Sequence, residues 1–155
     1  VIPLPLSYVV DPFLNASFVL SIGGVPFGNF AECTGLAAEV PVEEYAEGGE
    51  NRFAHKFPGR QSYPNLVLKR GADITTHLWE WFETWHDTGQ VDPRDGTIIL
   101  VSSLEGVPVP VRAWAFTRGW PVKMAGPDLN ALSPAVAVET MELAHNGIRA
   151  IRVGI

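Results

Sequence analysis

Residues 65–85 read Asn-Leu-Val-Leu-Lys-Arg-Gly-Ala-Asp-Ile-Thr-Thr-His-Leu-Trp-Glu-Trp-Phe-Glu-Thr-Trp, and within them the hydrophobic period changes from two to about 3.6. Leu66 and Leu68 alternate with Val67 and Lys69, as in a strand with one strongly buried face, until Gly71 breaks the run. From Ile74 the spacing is helical: Ile74, Leu78, Trp81, Phe82 and Trp85 fall on one arc, with Glu80, Glu83, Thr84 and Asp87 opposite. Asp73 or Thr75 is placed to cap the N-terminus, and Gly89 stands just past the last turn, where a left-handed residue is favoured. The stretch is a strand followed by the one long helix of the chain. Trp79 lies at the edge of the apolar arc beside His86. It reads either as a rim residue packed on its own domain or as a contact with another subunit.

Outward toward the N-terminus, residues 47–64 form a loop of turn-forming and charged residues, long enough to be functional or mobile. Before it, residues 30–45 read as one long strand with bends at Gly35 and Pro41. Phe18, Leu20 and Ile22 alternate as a first strand, and the turn at Gly23-Gly24 follows. Residues 1–15 form an extended arm: apolar, broken by Pro3 and Pro5, without a basic flank and too short to span a bilayer. Toward the C-terminus, residues 97–104 and 107–123 are the arms of a hairpin turning at Glu105-Gly106. On the second arm Val109, Val111, Ala113 and Ala115 share one face, while Arg112, Trp114, Phe116 and Arg118 share the other, so neither face is simply polar. Residues 134–145 form a further strand, and Asn146-Gly147, a strong hairpin signal, turns it into residues 148–153. The chain is therefore mainly β: a single domain over 1–155, an antiparallel barrel or sandwich of about six strands in two packed sheets, with one external helix.

Composition narrows the function classes. Charged residues are 18% of the 155, against about 25% in ordinary domains, and hydrophobic residues are 46%. Strands apolar on both faces, with one helix to cover them, need another layer, and a copy of the same chain can supply it. The net charge of −6 and the lack of clustered Lys and Arg argue against nucleic-acid recognition. The single Cys33 cannot form an internal disulfide and reads as a small buried filler. Without a signal peptide or membrane span, assembly in the cytoplasm is expected.

Candidate catalytic groupings are weak. His77 with Glu80, and Glu83 with His86, lie three apart on the helix but lack the H-E-x-x-H pattern of a zinc protease. Asp92-Pro93-Arg94-Asp95-Gly96 has the wrong acidic spacing for a calcium loop. No serine sits in a G-x-S-x-G elbow, so no catalytic, cofactor or metal residue is expected.

Seven pieces then recur in order along the chain: Asp11-Pro12-Phe13, residues 30–36, residues 44–51, Pro58-Gly59, residues 65–71, Leu78-Trp79-Glu80-Trp81, and residues 139–147. With them the chain resembles the contractile-tail tube proteins of phages and extracellular contractile injection systems, and more distantly the Hcp proteins of type VI secretion. The resemblance implies a split β-barrel forming hexameric rings that stack into a hollow tube, with inner sheets lining the channel and the helix outside, within a contractile sheath. It implies no enzyme activity and no cofactor. The implied partners are copies of the chain itself, the sheath protein, baseplate and tail-terminator proteins, and a tape measure or cargo in the lumen. Neither sequence-specific nucleic-acid binding nor direct membrane insertion is expected, and the implied location is a phage tail or an injection particle.

Within that frame, Glu47, Gly48, Gly49, Glu50, Asn51, Arg52 and Phe53 are expected to stack ring on ring. Glu80, Glu83 and Asp87 are expected to face the sheath, and Trp79 is the candidate subunit contact. The alternatives are a baseplate-proximal paralogue forming the first ring and, from a different class, a monomeric β-sandwich binding module.

Overall fold

Alternating apolar residues on separate strands need a shared interior. Leu20, Ile22, Phe30, Leu66, Leu68, Ile98, Phe116, Met141 and Leu143 meet in one, joined by Leu78 and Trp81 of the helix. Each fully buried leucine there stabilises the fold by about 1.5–3 kcal/mol. The computed structural model describes residues 16–46, 48–49, 52–71, 77–132 and 137–153. Among them are β1 (Ser17–Ile22), β2 (Val25–Phe30), β3 (Glu32–Thr34), β4 (Val42–Tyr45), β5 (His55–Pro58), β6 (Leu66–Gly71), α1 (His77–Thr88), β7 (Arg94–Leu104), β8 (Val107–Ala125), β9 (Val138–Ala144) and β10 (Gly147–Ile151). The arm at 1–15 and the capping candidates Asp73 and Thr75 lie outside the described residues.

Every ladder is antiparallel, and the strand order is β2-β1-β7-β8-β9-β6-β3, with β10 also on β8. Two sheets share β8: its first part pairs with β7 and β10, and from Trp120 onward it pairs with β9. At the change of sheet Arg118 takes a φ of 50°, and its backbone N–H donates to Asp95 Oδ1 at 2.9 Å. Gly119 follows because a Cβ there would lie 2.4 Å from Phe116 Cε2, in space the ring uses to fill the corner. The other corner is made by the chain itself. Phe30 ends β2, the Ala31 N–H donates to Lys69 O at 2.9 Å, and Glu32 opens β3. No ladder joins β2 to β3, so the barrel is split. The described residues form ten strands, more than the about six read from the sequence, because the corners divide long runs and β4 and β5 add a small sheet of their own.

Across the β6–β9 ladder Arg70 stands opposite Glu139. Its Nε donates to Glu139 Oε2 at 3.1 Å, with side chains only 4% and 11% exposed, and its guanidinium lies 5.7 Å from the centroid of the Phe30 ring. Charges so removed from water are tolerated only as a pair.

The helix is anchored by Leu78 and Trp81. The Trp81 indole N–H donates to Asp92 O at 3.2 Å, its ring meets Phe27 edge-on at 6.2 Å, and Arg94 lies over it at 5.4 Å. Gly89, with φ 68°, ends the helix as expected, and its N–H donates to Trp85 O at 2.9 Å.

The structure revises three local expectations. Residues 30–45 do not form one strand: Gly35, at φ 91°, interrupts it where a Cβ would meet Asn65 O, and pairing resumes at Glu39 with Ser62 and then in β4. Asn146-Gly147 is not a hairpin turn. β9 already pairs with β6 and β8 and has no free edge, so the chain continues along β8 as β10, with the Asn146 N–H donating to Thr117 O at 2.9 Å. Trp85, assigned by periodicity to the buried arc, is 43% exposed, because the last helical turn carries it past the contacts that bury Leu78 and Trp81.

Candidate assembly surfaces

The β4–β5 hairpin stands apart as its own two-stranded sheet. It is tied back by the Glu39–Ser62 bridge and by the Gly59 N–H donating to Pro41 O at 2.7 Å. Its register sets Tyr45 opposite His55 and Glu43 opposite Phe57, which places these four side chains on one face. Phe53 extends the row: its ring meets His55 edge-on at 5.1 Å, and His55 lies 6.4 Å from Phe57. Tyr45, Phe53 and Phe57 are each more than half exposed, so nothing among the described residues covers the face. Of the residues expected to stack rings, Gly48 and Gly49 form a turn and Arg52 and Phe53 are exposed, whereas Glu47, Glu50 and Asn51 lie outside the described residues. The segment 47–64, which reads in the sequence as a loop, contains β5, and Tyr45 and Phe57 join the candidate surface beyond the residues expected from sequence. The available signal was the alternation Phe53, His55, Phe57, a half-strand pattern that needs β4 to complete it.

On α1, Glu80, Glu83 and Asp87 are all exposed. Glu80 also lines a shallow cleft of about 220 Å³ with Phe27, Trp81, Thr84 and Arg94, where Arg94 donates to Asp92 Oδ2 at 2.7 Å. Trp79 is half-buried, and its Cζ2 lies where a Cβ on Gly126 would be only 3.7 Å away. It packs in part on the chain that leaves β8.

The outer faces of the two sheets differ in chemistry. On the sheet of β3, β6, β9 and the end of β8, charge is laid out in pairs. Lys69 lies 3.8 Å from Glu32, Lys123 stands opposite Glu142, and Asn65 donates to Glu142 Oε1 at 2.9 Å. On the sheet of β2, β1, β7, β8 and β10, the register aligns Asn29, Val19, Ile99, Ala113 and Ile151 in one row and Pro26, Ser21, Thr97, Ala115 and Arg149 in the next. Arg149, on edge strand β10, carries the one charge in these two rows.

Titratable groups are disposed structurally. Burial pushes the Cys33 thiol up to about 12, so it is neutral and poorly nucleophilic. His145 is buried with Nδ1 3.1 Å from Gly147 O, which fixes a proton on Nδ1 because a carbonyl only accepts. Among the described residues there is no group of three or more potential metal ligands, and no helix is long and apolar enough to cross a membrane.

Comparison with known proteins places this architecture. Residues 14–149 match the family model described as T4-like virus tail tube protein gp19. The fold is similar to a chain in the PVC sheath-tube complex of an extracellular contractile injection system in its extended state, with TM-score 0.78, 23% identity, and 97% of this chain and 100% of that one covered. It is also similar to a chain of the anti-feeding prophage baseplate, with TM-score 0.74, 24% identity, and 94% and 99% covered. The more distant Hcp1 from Flavobacterium johnsoniae aligns with TM-score 0.51 and 13% identity over 86% of this chain and 94% of that one. No curated protein sequence matches the chain significantly.

Proposed function

Because the chain belongs to the family of the T4-like virus tail tube protein gp19, we propose that it is the repeating structural subunit of a tail tube: a hexameric ring that stacks into a hollow conduit inside a contractile sheath. The observation that carries this reading is the split barrel with an uncovered aromatic hairpin beside it, a subunit complete in its core and incomplete at its surface. The hairpin face of Tyr45, Phe53 and Phe57, with the preceding turn at Gly48 and Gly49, is the ring-to-ring contact. A neighbour there would remove exposed aromatic surface at about 25 cal/mol per Å². Glu80, Glu83 and Asp87 face the sheath, and the open part of Trp79 meets an adjacent subunit. Baseplate and terminator proteins close the ends of the tube, cargo or a tape measure fills it, and no catalytic step is involved.

Negative-stain microscopy and mass photometry test the reading. Six-subunit rings and, at higher concentration, tubes are expected. Deletion of residues 48–57 should leave rings but no tubes. A stable monomer at tens of micromolar, with or without a baseplate template, would sink it in favour of a lone binding module.

A further inference from the structure

Rings that stack head to tail without limit need two unlike surfaces at opposite ends of the subunit, since a patch that pairs with its own copy closes a dimer and stops growth. The aromatic hairpin face is one such surface. We propose that its counterpart is the loop at residues 126–132, whose Leu129 and Leu132 meet Tyr45, Phe53 and Phe57 of a second copy in the next ring; the step rests on the tube reading above.

Leu129 and Leu132 are 85% and 95% exposed, more than any other large hydrophobic side chain among the described residues. A single exposed leucine needs no explanation, but these two share one short turn, in which the Leu132 N–H donates to Asn130 Oδ1 at 3.0 Å. At the root of the loop Gly126 lies against Trp79, whose Cζ2 comes within 3.7 Å of where a Cβ would stand, so the half-buried indole adjoins the loop. Val138, at the start of β9 beyond the loop, is exposed as well. Asp128 is the one charged residue in 126–132, so the loop has little besides apolar contact to offer a partner.

The sheet of β3, β6, β9 and the end of β8 sets the two apolar groups apart. The hairpin is tied to the first end of β6: Ser62 bridges Glu39, and Asn65, just before Leu66, backs onto Gly35. The loop leaves the other end, where β8 finishes with Ala125 opposite Thr140 and β9 begins with Val138 opposite Gly71. The six residues of β6 span about 17–20 Å between them. Aromatic rings at one end and a pair of leucines at the other are unlike surfaces of matching chemistry, and burying each against the other in the next copy repeats in one direction.

Both leucines lie outside the core, so Leu129→Asp/Leu132→Asp should melt with the parent. It should form rings but no tubes, the same outcome as deletion of the hairpin. Tubes of parental length would overturn the assignment, and loss of the rings as well would put the loop inside the ring. Cross-linking identifies the contact itself. In a Cys33→Ser background, Phe57→Cys rings and separately assembled, tagged Leu129→Cys rings are mixed, stacked and treated with a short bismaleimide. The heterodimer is expected, and only after stacking. Tubes without it, or Leu129→Cys homodimers showing that loops pair with each other, would refute the proposal. Cross-links within unstacked rings of Phe57→Cys/Leu129→Cys would refute it too, by placing the contact between neighbours of one ring. Absence of rings and tubes from the parent protein, with or without a baseplate template, would instead defeat the tube reading itself.

Discussion

Replacing Glu139 with alanine should cost the folded subunit about 3–5 kcal/mol, far beyond the ~0–1 kcal/mol of an exposed ion pair. The size follows from what stays behind. Arg70 is 4% exposed, its Nε has the Glu139 carboxylate 3.1 Å away, and Phe30 lies beneath its guanidinium. Losing the carboxylate leaves a desolvated cation on a ladder position that cannot move to water without breaking the β6–β9 pairing. Removing both charges in Arg70→Met/Glu139→Leu should restore stability to within about 1 kcal/mol of the parent, because apolar side chains of similar volume dispense with the desolvation of two ions. The coupling in the double-mutant cycle built on Arg70→Met and Glu139→Leu is then at least about 2–4 kcal/mol, because the double variant relieves the cost of either single. At about 2–4 °C per kcal/mol for a chain of this size, the single variant melts some 6–20 °C lower. The assay is urea and thermal unfolding followed by tryptophan fluorescence at concentrations where the subunit is monomeric, since assembly raises apparent stability. A single variant within about 1 kcal/mol of the parent, or a double variant as damaged as the singles, would refute the argument.

Gly119→Ala forces a methyl to within 2.4 Å of the Phe116 ring and should destabilise by about 1–3 kcal/mol in the same unfolding assay, whereas Gly48→Ala, which meets nothing within 4 Å, should be close to neutral. Reversing Glu80, Glu83 and Asp87 to lysine should leave naked tubes intact and abolish sheathed particles in electron micrographs; fully sheathed, contractile particles would show that face to be solvated surface only. Cys33 is held neutral up to about pH 12 in the folded state, while the unfolded thiol ionises near 9.0. The unfolded chain therefore loses its proton first, and stability should fall between these values as pH rises, a slope that Cys33→Ala removes.

The sequence and the fold agree where the decisive interactions are local or set by period. Leu66 and Leu68 point inward and Val67 and Lys69 outward as their alternation requires, Gly89 caps the helix, and residues 107–123 form the long hairpin arm. Disagreement begins where a distant strand decides. Periodicity gives Trp85 the direction of Leu78 and Trp81, but burial depends on whether strands extend beneath the last turn. The same limit hid the hairpin surface: Tyr45 and Phe57 become one face only through the register between β4 and β5, which the periodicity of neither segment specifies.

Asn146-Gly147 shows why such limits are physical. A turn signal states that reversal is locally cheap, but reversal into a hairpin also requires the preceding strand to have an open edge. β9 has none, being held by β6 through five core and rim pairs from Leu66↔Leu143 to Arg70↔Glu139 and by β8 on its other side. The open edge lies farther along β8, opposite β7, where Gly147 to Ile151 find partners from Thr117 to Ala113. Gly147 does not use the left-handed region that a tight Asn-Gly turn demands, and a Cβ there would come within 3.2 Å of Thr117 Oγ1. Its lack of a side chain serves close approach to β8, so the same glycine that reads as a turn in the sequence lets one edge of β8 be lined by two successive strands and lets the chain pass from one sheet to the other.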